Sequence, residues 1–347
     1  MRVMHCIWRL GAGGAETQLV HLGRALVRRG TEVFLVTAFA GQLDDSLDDT
    51  GITSVRIAAS HKYDPRVFGR VANAIKRIRP DIVQTWLLQM DLVAGTSALR
   101  HRVPWILSER SSAGMYRRSP LFRVRRMLGA RASAIVANSR GGADYWRGCI
   151  THVIPNIAPE IERIDVQRER DLILVAGRLD PVKNLHTLLH ALAIVFRQRE
   201  ARAVFCGEGP LRDALMQTAR ELGIAERLTF TGYVTNVPQW LQRASVSVSV
   251  SSVEGNPNVM LESIAAGTPV VCSAIPAHRE LVDEASAMFV DGTSAESIAR
   301  GIASVLADPA SAAARAARAR GALTDRSADA IAAQYESLYR SLAEGRR

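Results

Sequence analysis

Short apolar runs alternate with longer amphipathic stretches along almost the whole chain, and this rhythm restricts the fold more than any other feature. A brief run rich in Val, Ile and Leu suits a strand buried on both faces, and parallel strands of that kind need crossover helices between them. The pattern predicts strands at 3–8, 33–37, 82–85, 105–107 and 134–137, separated by helices near 15–29, 66–79, 91–99, 119–129 and 141–147. Residues 155–170 break the rhythm with two prolines and many charges, the composition of a linker. A second set follows, with strands predicted at 172–176, 203–206, 228–231, 245–250, 269–272 and 287–290. Helices are expected at 184–199, 210–222, 258–266 and 294–307, and an Ala/Arg-rich stretch at 310–322 reads as an exposed helix. Such alternation builds βαβ units, so the expected fold is α/β, with two doubly wound Rossmann-like domains facing a cleft. The domains expected are 1–158 and 171–326, with a helix at 327–343 packing back on the first; 347 residues suit that division.

Charge is divided unevenly. The chain carries 44 Lys and Arg against 34 Asp and Glu, a net +10. Residues 1–170 hold 26 cations and 15 acids, whereas 171–347 hold 18 and 19, so the excess belongs to the first half. Residues 110–131 contain seven arginines (Arg110, Arg117, Arg118, Arg123, Arg125, Arg126, Arg131) and no acid, interleaved with Leu121, Phe122, Val124, Met127 and Leu128. A basic amphipathic segment of this kind suits an anionic membrane surface. The alternative is an ordinary surface helix whose apolar stripe packs on its own domain. No stretch approaches the length of a membrane span, and the chain begins directly with an apolar strand, without the layout of a secretion signal. Cys6, Cys149, Cys206 and Cys272 show neither metal spacing nor a disulfide framework. Together these features lead to the expectation of a cytoplasmic protein, peripheral to the inner face of the membrane.

Two turns carry the chemistry, and both follow predicted strands, where ligands of doubly wound sheets bind. Glu254 comes after the 245–250 strand and Glu262 lies eight positions further on. A wholly helical 254–262 would span roughly 12 Å, comparable with a ligand reaching from a sugar through a diphosphate to a ribose. Gly255 permits close backbone approach and Pro257 suits the turn. A helix starting near Asn258 and Val259 would turn its N–H groups and positive dipole end toward an anion. Upstream, Gly177 and Arg178 follow the 172–176 strand, with Lys183 five positions after Arg178. Only Lys62, Lys76 and Lys183 are lysines among the 44 cations, so Lys183 is alone in the C-terminal half. A compact ammonium suits phosphate where composition otherwise favours arginine. Taken singly, each residue reads equally as a solvated lysine, a cap partner or a surface glutamate. Together, two cations and two carboxylates suit a nucleotide-sugar diphosphate.

These residues resemble a known family, the retaining GT-B glycosyltransferases of family 4 (glycosyl transferases group 1). Glu254 and Glu262 are similar to that family's E-x7-E signature, and Gly177-Arg178 with Lys183 to its G-R-x4-K element. Gly207 and Gly209 resemble its G-x-G-P turn, Gly232 a later glycine turn, and Gly13-Gly14-Ala15-Glu16 its N-terminal loop. The resemblance implies a GT-B fold, a UDP- or GDP-sugar donor, retention of anomeric configuration and no metal or other cofactor. It further implies that Arg178 and Lys183 neutralise the departing diphosphate, Glu254 contacts the donor sugar and Glu262 the ribose. Gly14, Gly177, Gly207, Gly209, Gly232, Gly255, Asn258 and Val259 would complete the donor site. Many members carry a histidine after the fourth N-terminal strand, where this chain has Glu109. Glu109 either takes a place beside donor or acceptor or forms a surface ion pair with Arg110.

Other functions fit less well. Gly11, Gly13 and Gly14 lack the third glycine of a dinucleotide fingerprint, since Glu16 stands there. His186 and His190 lack the glutamate and third ligand of a zinc site. The expectation is a transferase acting on a lipid-linked or glycan acceptor, with an anionic membrane bound through residues 110–131 and no nucleic acid as partner. A GT-B nucleotide-sugar epimerase is the enzyme alternative. A basic nucleic-acid-binding protein is the other, although aromatic residues for base stacking are few.

Overall fold

The computed structural model describes residues 1–61, 64–111 and 120–345. The chain divides into two compact units, Met1–Ile157 with Arg326–Arg347, and Ala158–Asp325.

The first unit runs β1 (Arg2–Ile7), α1 (Gly14–Arg28), β2 (Glu32–Thr37), β3 (Thr53–Arg56), α2 (Arg66–Ile78), β4 (Ile82–Trp86) and α3 (Leu87–Arg100). It continues through β5 (Trp105–Glu109), α4 (Pro120–Gly129), β6 (Ala134–Ala137), α5 (Arg140–Asp144) and β7 (Thr151–Val153). Seven parallel strands lie in the order β3-β2-β1-β4-β5-β6-β7. All five residues of β4 and of β5 are buried, as a strand covered by helices on both faces requires. The apolar pattern does not reveal β3 and β7. They are the two edge strands, exposed or half-exposed along their length, where polar residues are tolerated and hydrophobic continuity is not needed.

The second unit runs β8 (Leu172–Ala176), α6 (Leu185–Gln198), β9 (Arg202–Cys206), α7 (Arg212–Glu221), β10 (Leu228–Gly232), α8 (Val237–Arg243) and β11 (Val246–Ser249). Then come α9 (Asn258–Ala265), β12 (Val270–Ser273), α10 (Pro276–Arg279), β13 (Met288–Val290), α11 (Ala295–Ala307) and α12 (Pro309–Gly321). Its six strands are parallel in the order β10-β9-β8-β11-β12-β13. The order reverses between β8 and β11, which are neighbours although β9 and β10 intervene in sequence. Crevices beyond the strand ends open at such a reversal. The 310–322 stretch is not simply exposed: Ala312, Ala316 and Ala319, three or four residues apart, are buried on one face of α12.

The last helix, α13 (Ala328–Glu344), belongs to the first unit. Ile331, Tyr335, Leu338 and Tyr339 recur at helical spacing and join the apolar core beside α1. Tyr339 donates its hydroxyl proton to Gln84, and Arg29 forms ion pairs with Asp329 and the buried Glu336.

Candidate active site

The strand order of the second unit brings two loops together. The loops after β8 and β11 are tied by their backbones, Ser252 N–H donating to the Val182 carbonyl at 2.8 Å. Between them, Lys183 Nζ stands 2.5 Å from Glu254 Oε1, across 71 positions of sequence. Ser251 donates its hydroxyl to the same carboxylate oxygen at 2.7 Å. The Lys183 and Glu254 side chains are 22% and 14% exposed, so the pair is partly shielded from water while remaining reachable.

Local chemistry explains the placement of Lys183. Asp180 accepts from the Val182 N–H at 3.2 Å, and Pro181 opens a single 3-10 turn ending at Lys183. Asn184 then takes a left-handed conformation, φ +54°, which asparagine tolerates better than most residues. Its side chain holds the turn by bonding to the Gly292 carbonyl and the Thr187 hydroxyl. Arg178 is not part of the pair. Its side chain is 72% exposed, with Nε 3.6 Å from Asp180. It does share one crevice with Lys183, together with Gly177, Ser249, Val250 and Ser251.

Glycine lets three strand ends meet at backbone distance. A Cβ on Gly207 (φ +147°) would lie 2.0 Å from the Gly177 carbonyl oxygen, and one on Gly209 2.2 Å from that of Leu179. Gly177 N–H donates to the Cys206 carbonyl and Gly207 N–H to that of Gly232, both at 2.9 Å. Gly232 has φ +72°, and Gly177, with φ +120°, lies against Lys183 and Val259. Val259 is in the first turn of α9, so the β8 loop and the start of that helix adjoin.

Asn258 opens α9, and Gly255 is buried in the turn before it. Glu262 lies one turn into the helix, partly exposed, and its carboxylate has no hydrogen-bond or ion-pair partner among the described residues. Burial pushes that carboxyl up to about 7. Sequence reasoning missed two contributors, Ser251 and His278. A serine after a strand and a histidine in a four-residue helix carry no periodic signal.

The first unit corrects one expectation. Gly14 does open α1, but the fully buried Glu109 forms no surface ion pair with Arg110. Glu109 accepts from Arg125 Nη1 at 2.7 Å, Trp146 Nε1 at 2.9 Å and the Ser111 N–H at 2.9 Å. Those donors make Glu109 part of the domain interior. Arg125 also bonds Asp91 at 2.7 Å, so one buried guanidinium bridges two buried carboxylates. Arg110 is also engaged, donating to Asn156 and Tyr335 with its guanidinium 4.2 Å from the Trp86 ring centroid. Two of the seven arginines in 110–131 therefore serve the fold, while Arg123, Arg126 and Arg131 are exposed; Arg117 and Arg118 lie outside the described residues. Among the described residues no three His, Cys, Asp or Glu are grouped to hold a metal ion, and no helix is long and apolar enough to cross a membrane.

Solved structures share the fold. HepE of Anabaena, crystallised with UDP-glucose, aligns with a TM-score of 0.86 over 98% of this chain and 100% of its own, at 20% identity. Sucrose-phosphate synthase from Thermosynechococcus elongatus aligns at 0.82, covering 99% of this chain and 100% of its own at 20% identity. Two doubly wound parallel sheets with these likenesses define the GT-B fold. The model for glycosyl transferases group 1 matches residues 157–322, and that for glycosyltransferase family 4 matches 12–158. The chain belongs to the family 4 type of GT-B glycosyltransferases.

Curated relatives agree. An α-1,4-N-acetyl-D-galactosaminyltransferase of Campylobacter jejuni, acting on a diphospho-undecaprenol-linked GalNAc glycan, is 28% identical over 279 residues, 76% of this chain and 77% of its own. LpsE, a lipopolysaccharide core biosynthesis glycosyltransferase of Rhizobium meliloti, is 27% identical over 85% of this chain and 86% of its own. A GDP-mannose-dependent phosphatidylinositol dimannoside mannosyltransferase of Mycobacterium tuberculosis is 26% identical over 86% of this chain and 85% of its own.

Proposed function

We propose that this glycosyltransferase moves a sugar from a UDP- or GDP-linked donor to a lipid-linked or glycan acceptor, with retention of anomeric configuration. The contact between Lys183 and Glu254 at the β8/β11 reversal is the observation that carries this reading. As the bond from the sugar to the diphosphate breaks, negative charge grows on the leaving oxygen. Lys183 and the crevice-lining Arg178 supply fixed positive charge there, which stabilises the transition state more than the ground state. The acceptor oxygen bonds to the sugar carbon from the face the diphosphate leaves, and its proton passes to a donor phosphate oxygen. Glu254 orients the sugar and stabilises positive charge on it, and Glu262 accepts hydrogen bonds from ribose hydroxyls. Gly177, Gly207, Gly209, Gly232 and Gly255 let backbone come close to the donor, beside the first turn of α9 at Asn258 and Val259. The proposed reaction uses no metal, because these two side chains meet the diphosphate charge.

The acceptor end rests on the relatives, whose names specify a diphospho-undecaprenol glycan and a phosphatidylinositol dimannoside. It rests also on α4, where Leu121, Val124 and Met127 are exposed at three-residue spacing among exposed arginines. That face suits an anionic membrane and supports the reading of a peripheral enzyme on its cytoplasmic side. The test is a thermal-stabilisation screen of UDP- and GDP-sugars, followed by turnover of Glu254→Gln and Lys183→Ala. Each should lose about 100-fold or more in kcat while staying folded. Near-normal turnover in both refutes the site, and interconversion of the free nucleotide sugar without transfer assigns an epimerase.

A further inference from the structure

Behind the Lys183–Glu254 pair lies a histidine outside every sequence motif. His278, on α10, is fully buried. Its Nδ1 is 2.8 Å from the Ser273 carbonyl oxygen at the end of β12, and its Nε2 is 3.3 Å from the Ser249 hydroxyl at the end of β11. A carbonyl can only accept, so its partners assign the proton to Nδ1 and leave Nε2 to accept from Ser249. The imidazole thus links two adjacent strand ends.

The links continue toward the site. Ser273 donates its own hydroxyl to the Ser251 carbonyl at 2.6 Å, and Ser251 donates its hydroxyl to Glu254 at 2.7 Å. Glu254 in turn meets Lys183. A connected run of hydrogen bonds therefore leads from a buried histidine to the reactive pair, within one unit. Buried networks of this kind fix a side chain more tightly than its own rotamer preference can.

We propose that neutral His278 is a positioning residue for Glu254: by joining the ends of β11 and β12 it fixes Ser251, and through Ser251 the Glu254–Lys183 pair. The role in transfer rests on the reading of Glu254 as the sugar-end carboxylate. A second proton would oblige Nε2 to donate where it now accepts. Burial, the largest influence, and Lys183 both oppose the imidazolium, and together they outweigh the Ser273 carbonyl and Glu254, which favour it, so the imidazole is held below the usual histidine range. The network therefore stays intact at mildly acidic pH.

The test uses the full chain and needs no ligand at first. Only three lysines are present, so side-chain isotope labelling gives three lysine signals, with Lys183 assigned by its absence in Lys183→Arg. His278→Phe and Ser251→Ala should both displace the Lys183 signal while leaving Lys62 and Lys76 in place. His278→Asn, which keeps one N–H donor, should displace it less. With a donor in hand, His278→Phe should lower kcat by between about 10- and 100-fold, with the donor KM changed by less than about threefold. An unmoved Lys183 signal in folded His278→Phe overturns the proposal whatever the donor. If that variant does not fold, an unmoved signal in both Ser251→Ala and His278→Asn overturns it equally. A displaced signal in a protein that transfers no sugar would keep the positioning link and reject the transferase reading, so the two fail separately.

Discussion

Replacing Gly207 by alanine tests how the donor loops are held. The added Cβ would sit 2.0 Å from the Gly177 carbonyl oxygen, whereas carbon–oxygen contacts settle near about 3.3 Å, so the loops must part by roughly 1 Å. Backbone bonds cross that gap from Gly177 to Cys206 and from Leu179 to Glu208, and Gly207 is held on its other side by Gly232, each at 2.9 Å. Losing one costs about 1 kcal/mol, and a φ of +147° adds about 1–3 kcal/mol of strain for any residue with a side chain. Gly207→Ala should therefore destabilise the second unit by about 2–4 kcal/mol and lower turnover, since Gly177 lies against Lys183. Gly223→Ala is the control. Its φ is +68° and nothing lies within 4 Å of the added carbon, so only the left-handed penalty of about 1–2 kcal/mol applies. Two units preclude a simple two-state fit, so the measurement is native-state hydrogen exchange in peptides spanning β8 to β10. Equal loss of protection in the two variants would show that backbone packing at Gly207 does not hold these loops.

Two further perturbations separate fold from function. Arg125→Met should destabilise the first unit by about 3–5 kcal/mol, because it leaves Asp91 and Glu109 buried without their shared cation. Arg123→Ala, on the exposed side of α4, should stay within about 0.5 kcal/mol; comparable losses of hydrogen-exchange protection across the first unit would contradict the distinction. Burial holds the Glu262 carboxyl at about 7 against an ordinary 4.5, so the folded group binds a proton that the unfolded one releases. Its contribution to stability is complete below 4.5 and is lost as pH rises through 7. Glu262→Gln should thus be nearly neutral at acidic pH and stabilising by about 1–2 kcal/mol in alkaline solution, while weakening nucleoside diphosphate binding. A lower Tm for this variant under alkaline conditions would refute the assigned cause.

Much of the fold is legible because parallel βαβ units write themselves locally. Each buried strand is a continuous apolar run, as in Leu172–Ala176, and each helix has a 3.6-residue stripe. Edge strands β3 and β7 escape that logic because their residues are exposed or only half-buried. Lys183 and Glu254 attract notice by residue type and by following strands, and Glu262 by its spacing from Glu254. His278 and Ser251 do not, since their importance comes from neighbours far away in the chain.

The local periodicity alone determined that this chain forms strands, helices and two parallel sheets, because burial on both faces demands an unbroken apolar run. Tertiary structure decided which strands are neighbours. Placing β11 beside β8 is what brings an ammonium and a carboxylate from distant segments to 2.5 Å. The same packing took Arg125 and Glu109, which composition lists only as charges, and buried them against each other. Charge is a property of a residue, but whether it faces water or a partner depends on what the fold sets against it.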